Sequence, residues 1–325
     1  MTLQLGGLHH VSAITGNAPG NYDFYTRVLG LRLVKKTVNQ DDVSAYHLFY
    51  SDEKGSPGLD VTFFDFPGAV KNRPGTGSIE AIALSVPNRA SLDWWLKRFD
   101  ELGVTHGPIE ERAGRATLPF NDPEGQQLEL VAVDGTDVSK LPGKGWSISP
   151  VPMEHQIRGM HAIRIAVPRL GPSERVLTDV LSFRHREDYT LNGADTVRIY
   201  EVGPGGSGAE MHVVVRDNAP FARPGAGGVH HVAFRTPNDE EHLQWQQRLA
   251  QAGLHVTPQI DRYYFRALYF REPGGVLYEI STDGPGFATD EPVERLGEQL
   301  ALPPFLEPQR ARVEAGLKPL DTTSR

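Results

Sequence analysis

Two pairs of adjacent histidines are the residues of this chain whose type and spacing first indicate chemistry. The string GLHHVSA begins at Gly7, and the similar string GVHHVAF begins at Gly228. Both strings are short, apolar and alternating, which is typical of β-strands, so only one histidine of each pair can face the inside of a sheet. Neutral imidazole is a common metal ligand, and two inward histidines on adjoining strands therefore predict a metal site.

The two strings belong to a unit that occurs four times. The other copies start with SIEAIALSV at Ser78 and GMHAIRIAV at Gly159. Each start is followed by a segment with helical spacing of apolar residues and then by several extended segments. Copies two and four align without a gap, since Pro87 and Pro237 lie 150 positions apart and the later turns keep that spacing. The repeating unit is therefore β-α-β-β-β.

The equivalent positions of the four copies differ in metal-binding capacity. The second histidine position holds, in order, His10, Ala81, Ala162 and His231. The final strand carries Glu279 in copy four and Glu129 in copy two, but only Phe or Thr in copy one. Two imidazoles and one carboxylate form a face that leaves coordination positions open for substrate and O2, as in ferrous oxygenases. We predict an Fe(II) site of His10, His231 and Glu279, with Fe(II) ahead of Mn(II) and Zn(II).

This site requires copy one to pair with copy four, and copies two and three then form a second, metal-free enclosure. His9 and His230 are expected either to face outward or to support the two ligands. Simpler interpretations stay open, because a single strand histidine is more often a buried hydrogen-bonded residue, and Glu279 could form a structural ion pair. We do not expect a second site at Glu129 and His161, since the neighbouring ligand positions are alanine.

The four units predict the fold class. One sheet of four strands cannot bury its inner face alone, so the units should pair. We predict an α+β fold of four βαβββ modules paired into two pseudo-symmetric eight-stranded half-barrels, followed by a C-terminal tail. The predicted domains are residues 1–150, with modules at about 7–66 and 77–133, and residues 151–325, with modules at about 158–217 and 228–283 plus the tail.

Composition narrows the class of partner. The 325 residues carry a net charge of −8, which lacks the basic surplus of nucleic-acid-binding proteins. No segment has the pattern of a secretory leader or the apolar length of a membrane span, so we expect a cytoplasmic protein that binds neither nucleic acid nor membrane. The absence of cysteine leaves only His, Asp and Glu as strong metal ligands.

Several strings resemble a known family. The fourfold plan with GLHHVSA, GVHHVAF and PGGVLYE resembles the vicinal oxygen chelate superfamily, which includes glyoxalase I, fosfomycin-resistance proteins and extradiol dioxygenases. The strings YHLFYSDEKGSPGLDVTFFDFP from Tyr46 and DRYYFRALYFREPGG from Asp261, with LPPFLEPQR in the tail, are similar to four-module dioxygenases that cleave hydroquinones. The resemblance covers nearly the full chain. It implies an Fe(II)-dependent, extradiol-type ring-cleaving dioxygenase that inserts O2 into a hydroquinone.

The resemblance also implies roles for single residues. His10, His231 and Glu279 match the iron ligands, Ser12 matches a hydroxyl residue near the substrate, and Arg262 and Tyr269 match residues that face the ring and its bound oxygen. From this arginine onward those relatives resemble RGYF, with glycine as the next residue. This chain has Tyr263 at that next position, a departure that bears on which ring substituents fit. A guanidinium and a phenol are in any case suited to stabilising phenolate or peroxide oxygen. Without the resemblance, a surface cation and a half-buried strand aromatic remain as alternatives. His47 is assigned to packing.

Two other functions stay open. A glyoxalase-type isomerase or transferase would use Zn, Ni or Mn and typically a fourth ligand, a carboxylate on the final strand of copy one, where Phe or Thr argues against it. A non-catalytic protein that binds an aromatic compound would differ in not holding stoichiometric metal. The proline-rich tail predicts a homo-oligomer.

Overall fold

The computed structural model describes residues 3–322, and its strands and helices repeat the same order four times. Module one contains β1 (Leu8–Thr15), α1 (Ala18–Asp23), β2 (Arg32–Asn39), β3 (Asp42–Ser51) and β4 (Asp60–Asp65). Module two contains β5 (Ser78–Val86), α2 (Arg89–Leu102), β6 (Glu110–Arg112), β7 (Arg115–Asn121) and β8 (Gln127–Ala132).

The second half repeats this order. Module three contains β9 (Gly159–Val167), α3 (Leu170–Arg175), β10 (Arg184–Leu191), β11 (Asp195–Glu201) and β12 (Glu210–Val215). Module four contains β13 (Gly228–Thr236), α4 (Asp239–Gln251), β14 (Ile260–Asp261), β15 (Arg266–Arg271) and β16 (Leu277–Thr282). Helices α1 and α3 each continue into a π-helical turn, and the tail carries a short helix, α5 (Arg310–Gly316).

The strands of residues 3–322 form two mixed sheets of eight strands each, which confirms the predicted fold class. The first sheet has the order β14-β15-β16-β13-β1-β4-β3-β2, so modules one and four share it. The second has the order β10-β11-β12-β9-β5-β8-β7-β6 and is shared by modules two and three. In each sheet the two modules meet through antiparallel first strands, β1 with β13 and β5 with β9. This topology brings the two histidine pairs, far apart in the chain, onto neighbouring strands.

The helices pack one apolar face against the sheets and are capped by side chains. In α2 the Asn88 side chain accepts a hydrogen bond from the Ser91 amide at 3.0 Å, and Gly103 ends the helix in the left-handed conformation with φ 67°. The face that includes Trp95 and Phe99 is fully buried. No helix among residues 3–322 is long and apolar enough to cross a bilayer.

The tail is anchored on the outer strand of module one. The fully buried ammonium group of Lys35 forms ion pairs with Asp290, at 2.7 Å, and with Glu291. Next to it, the Nζ atom of Lys36 donates to the Thr322 hydroxyl at 2.8 Å. Because a buried ammonium group is costly unless it is paired, these contacts fix the tail firmly on β2.

Candidate metal centre and substrate cavity

Three ionisable side chains converge on the inner face of the first sheet. His10 lies on β1, His231 on β13 and Glu279 on β16, and all three are buried. Their nitrogen and oxygen atoms all lie within 4.8 Å of one another. Strands β1 and β13 pair with Ser12 opposite His231, so the two histidines sit across one strand boundary. The pairing of modules one and four is what brings these three residues together.

The geometry of this triad fits a divalent cation. The Nε2 atoms of His10 and His231 lie 3.3 Å apart, and the Oε2 atom of Glu279 lies 3.4 Å and 2.8 Å from them. Donor atoms bound at about 2.1 Å to one ion are separated by roughly 3 Å, so these spacings suit a shared ion. Oε2 is buried without a hydrogen-bond partner among residues 3–322, whereas Oε1 accepts from the Ser281 hydroxyl at 2.5 Å. A metal ion would satisfy that oxygen.

The protonation of His10 follows from its neighbour His9. The Nε2 atom of His9 lies 3.2 Å from the carbonyl oxygen of Thr282, which can only accept, so this nitrogen carries the proton. Burial and the nearby His10 hold the pKa of His9 well below its usual range, so the ring is neutral and its Nδ1 accepts. The Nδ1 atom of His10, 2.9 Å away, must then donate. The Nε2 lone pair of His10 is left free toward Glu279, as metal ligation requires.

His230 stands in the same relation to His231. Their Nδ1 atoms lie 2.8 Å apart, so each inward histidine is held by the residue that precedes it. The two supports differ in exposure, because His9 is buried whereas His230 is exposed. Both therefore lie beside the inward histidine that follows them, and in the described part of the chain a backbone carbonyl holds His9 but not His230.

Electrostatics keep Glu279 and His231 in the ionisation states that a metal needs. Burial alone would raise the pKa of Glu279, but the neighbouring His10 and His231 outweigh burial and hold it well below its usual range. Burial lowers the pKa of His231, although Glu279 acts in the opposite direction. An anionic carboxylate beside an imidazole with a low pKa is a ready donor set for a divalent ion.

A small cavity lies beside the triad. Its volume is about 40 Å³. Its lining includes His10, Ser12, His47, His231, Arg262 and Tyr269. Several aromatic rings with a few converging polar groups are typical of a small-molecule site. The structure thus places every sequence-predicted site residue except Glu279 in the cavity wall, and Glu279 directly behind it.

Tyr269 and Arg262 lie together on the module-four side of this cavity. Tyr269 pairs directly opposite Glu279 across β15 and β16, and its ring lies 5.6 Å from that of His231. The guanidinium carbon of Arg262 lies 5.6 Å from the centre of the Tyr269 ring. Burial and Glu279 raise the pKa of Tyr269, so the phenol keeps its proton. Burial opposes the charge of Arg262, but Asp41 and Tyr269 raise its pKa and keep it cationic.

The turn between β2 and β3 closes the cavity from the opposite side. Arg262 donates to both carboxylate oxygens of Asp41, at 3.1 Å and 2.8 Å, and the Gln40 side chain donates to the Arg262 carbonyl oxygen at 2.8 Å. Asp41 is 72% exposed, and an ion pair at such a surface contributes little stability. The contacts that hold the turn in place can therefore break at a small cost in free energy.

Tyr263 has an uncommon backbone conformation between two cavity residues. Its φ is 71°, in the left-handed region that favours glycine. The turn allows both Arg262 and Tyr264 to line the cavity while the Tyr263 side chain faces away from it. The RGYF pattern of the similar dioxygenases places glycine at this position, and the backbone gives that choice a physical reason.

The register identifies the residue of module one that corresponds to Glu279. Glu279 lies beside Ala233 in module four, and Thr62 lies beside Ser12 in module one. Each of these partners follows its module's inward histidine by two positions. The fourth corner of the site is thus a hydroxyl, not a carboxylate, and the Thr62 Oγ1 atom lies 2.7 Å from the Ser12 Oγ atom.

The second sheet fills the equivalent region with ion pairs. Ala81 and Ala162 occupy the two histidine positions, as the sequence dictates. Glu129 instead accepts hydrogen bonds from Arg164 at 2.5 Å and from Arg112 at 2.6 Å. Burial would raise the pKa of Glu129, but the two guanidinium groups lower it. That carboxylate already has two cationic partners, and a metal-free second enclosure stays a prediction.

Comparison with known proteins adds a family to this geometry. The family model for the Glyoxalase/Bleomycin resistance protein/Dioxygenase superfamily matches residues 7–130 and 159–280. The chain is 45% identical over 322 residues to a Bacillus subtilis (strain 168) protein provisionally named ring-cleaving dioxygenase MhqA, covering 98% of this chain and 100% of that protein.

Two further relatives are similar over nearly the full length. Chlorohydroquinone/hydroquinone 1,2-dioxygenase of Sphingobium indicum is 32% identical over 313 residues, covering 93% of this chain and 92% of that enzyme. A crystal structure described as a candidate dioxygenase from Bacillus subtilis subsp. subtilis str. 168 superposes with a TM-score of 0.87 at 35% identity, covering 100% of both chains.

Proposed function

The chain belongs to the Glyoxalase/Bleomycin resistance protein/Dioxygenase superfamily, and on that basis we propose that it is an Fe(II)-dependent ring-cleaving dioxygenase that inserts O2 into a hydroquinone. The observation that carries the proposal is the buried oxygen of Glu279, which has no hydrogen-bond partner among the described residues and faces two imidazole nitrogens. Bound Fe(II) would supply the redox-active centre at which the aromatic ring and O2 react.

His10, His231 and Glu279 would hold this ion. Three protein ligands on one face leave neighbouring positions free for two further molecules, as a reaction between an aromatic compound and O2 requires. The relatives named as ring-cleaving dioxygenases, one of them for hydroquinone, support this substrate class. The cavity is small and several aromatic rings line it, which suits a compound with a single ring.

Arg262 and Tyr269 would act on the oxygen atoms of the substrates. The cationic guanidinium of Arg262 stabilises negative charge as a ring hydroxyl loses its proton. The protonated phenol of Tyr269 can donate a hydrogen bond to an oxygen atom that gains charge during the reaction. The overall reaction adds both atoms of O2 to the ring and opens it between a hydroxyl-bearing carbon and its neighbour, which gives an open-chain acid that also carries an aldehyde.

Thr62 separates this proposal from a glyoxalase-type isomerase. Such an enzyme would typically place a carboxylate at the fourth corner, and the register places a neutral hydroxyl there. A protein that binds an aromatic compound without turnover remains the other alternative, and oxygen uptake distinguishes it. A cytoplasmic location and a homo-oligomer stay predictions.

Oxygen uptake by the Fe(II)-loaded protein tests the proposal. Protein loaded without air would be offered hydroquinone, methylhydroquinone, chlorohydroquinone and catechol in parallel, with metal content measured by mass spectrometry on the same preparation. We expect about one O2 consumed per hydroquinone, a new chromophore from the opened ring, and little uptake with catechol. Bound iron without uptake for any of the four compounds would overturn the dioxygenase assignment and favour the isomerase or the binding protein.

A further inference from the structure

His47 is a polar residue of the cavity wall that the proposed reaction does not yet use. It lies on β3, two residues before Phe49, so both side chains face the cavity. Its ring centre lies 4.0 Å from that of Phe49 and 4.2 Å from that of Phe64. The Phe64 ring also lies 6.5 Å from the His231 ring, so one aromatic side chain neighbours both histidines. His47 is thus packed between two phenylalanine rings of the cavity wall.

One nitrogen of His47 is engaged and the other is available. Its Nε2 atom lies 3.0 Å from the Thr62 hydroxyl oxygen, which in turn lies 2.7 Å from the Ser12 hydroxyl oxygen. Its Nδ1 atom has no hydrogen-bond partner among residues 3–322. Burial, followed by the nearby His10 and His231, keeps the pKa of His47 well below its usual range, so the ring is neutral. A neutral imidazole has one donor and one acceptor nitrogen, and the second is open to a molecule in the cavity.

The direction of this hydrogen-bonded chain can reverse without any change of charge. If Ser12 donates to Thr62, Thr62 donates to Nε2 of His47, and Nδ1 then carries the proton. If Thr62 donates to Ser12, it accepts from Nε2, and Nδ1 is then an acceptor. Since each hydroxyl can both donate and accept, His47 can meet either a donor or an acceptor.

We propose that His47 positions the substrate ring by hydrogen-bonding the hydroxyl that lies para to the hydroxyl at the metal, and that Thr62 sets its tautomer. This inference rests on the proposed function, because it assumes that one ring hydroxyl is held at the triad. In a hydroquinone the second hydroxyl lies across the ring from the first, whereas in a catechol both lie on the same edge. His47 would therefore favour para over ortho diols.

Ligand binding without oxygen tests this contact. We would titrate Fe(II)-loaded protein with hydroquinone and with 4-methylphenol, in which a methyl group replaces the second hydroxyl. The wild-type protein should bind hydroquinone roughly tenfold more tightly, as expected for one neutral hydrogen bond. In His47→Leu the preference should disappear, so that hydroquinone and 4-methylphenol bind with about equal affinity. An unchanged preference in that variant would overturn the proposal.

Three further variants guard against a general structural effect. Thr62→Val keeps His47 but removes its partner, and it should lose part of the preference, while Thr62→Ser should retain it. His185→Leu, on an exposed histidine of the second sheet, should match the wild type. Nitrogen NMR of His47 should shift with hydroquinone and not with 4-methylphenol; equal shifts with both would count against the contact.

Binding and turnover separate the two proposals. If the wild type shows the His47-dependent preference but consumes no O2, the dioxygenase assignment fails and the contact stands. If the wild type cleaves hydroquinone and His47→Leu keeps the full preference, the contact fails and the dioxygenase assignment stands.

Discussion

Glu129 and Glu279 hold the same position of the final strand in modules two and four, each beside an alanine of the module's first strand. Their surroundings are opposite. Glu279 faces two imidazoles, and one of its oxygens has no hydrogen-bond partner within residues 3–322, whereas Glu129 is held by two guanidinium groups. One fold position thus provides a candidate metal ligand in one sheet and an ion pair in the other.

This contrast offers a matched pair of variants. We expect Glu279→Gln to lose metal, because the amide keeps the shape of the side chain but removes the negative charge that balances the ion. Glu129→Gln should keep metal while losing stability, since Arg164 and Arg112 would remain buried without a full counter-charge. Mass spectrometry of metal content and thermal unfolding of both variants provide the check. Full metal retention by Glu279→Gln would exclude the proposed triad.

Tyr269→Phe should separate catalysis from metal binding. The change removes only the phenolic oxygen, so metal content should equal that of the wild type, while kcat for hydroquinone should fall roughly 10²-fold, as for loss of one stabilising donor. Tyr200→Phe is the control, because Tyr200 lies on β11 of the second sheet and its phenol donates to Glu174 on α3. Equal kcat values for Tyr269→Phe and the wild type would show that the phenol does not act in the reaction.

Tyr263 should be strained by its backbone. A left-handed conformation costs roughly 1–2 kcal/mol for residues with a Cβ atom, and glycine escapes that cost. The free energy of unfolding of Tyr263→Gly should therefore exceed that of Tyr263→Ala. The difference should be about 1 kcal/mol after allowing for the flexibility of glycine in the unfolded chain. Urea unfolding of the two variants measures the difference. An alanine variant as stable as the glycine variant would mean that the turn is not strained.

Asp122 should make stability depend on pH. It lies in the turn before β8, is 5% exposed, and accepts hydrogen bonds from the Tyr25 phenol and from the amides of Glu124 and Gln126. Burial raises its pKa to about 6. Between pH 4 and pH 6 the folded chain therefore binds more protons at this site than the unfolded chain, so this residue lowers stability as the pH rises.

Asp122→Asn should remove that dependence. The variant should be more stable than the wild type at pH 8, by on the order of 2–3 kcal/mol, and similar to it near pH 4. Urea unfolding of metal-free protein at both pH values gives the comparison, with Asp93→Asn on the exposed face of α2 as control. A stability difference that is the same at both pH values would contradict the assigned cause.

The triad could be predicted from the sequence because the module occurs four times and its equivalent positions can be compared. Comparing equivalent positions of the four copies singled out His10 and His231, and strand alternation then separated them from His9 and His230. The register of the sheet was needed for Thr62, since the sequence left two residue types open at that position. Without cross-strand pairing, His47 has no visible link to Thr62 or to the cavity, and its assignment to packing described only its contacts with two phenylalanines.

Other features left weak signals in the sequence. The arginine within GMHAIRIAV and the two lysines within β2 interrupt apolar strands. A charge in such a strand indicates a buried partner, but not which residue supplies it, and the partners Glu129 and Asp290 are distant in sequence. The sequence showed a proline-rich tail without its partners, and the structure adds the contacts that attach it to module one.

The pairing of the first and last modules also bears on the order of folding. His10 and His231 are separated by 221 positions, so the sheet that carries the triad cannot form until nearly the whole chain has left the ribosome. Modules two and three are neighbours in sequence and can pair much earlier. Until module four arrives, strand β1 has no neighbour on its β13 side, a state prone to association with other chains. We expect the second sheet to be the first to fold and the candidate metal centre to be the last part of the protein to form.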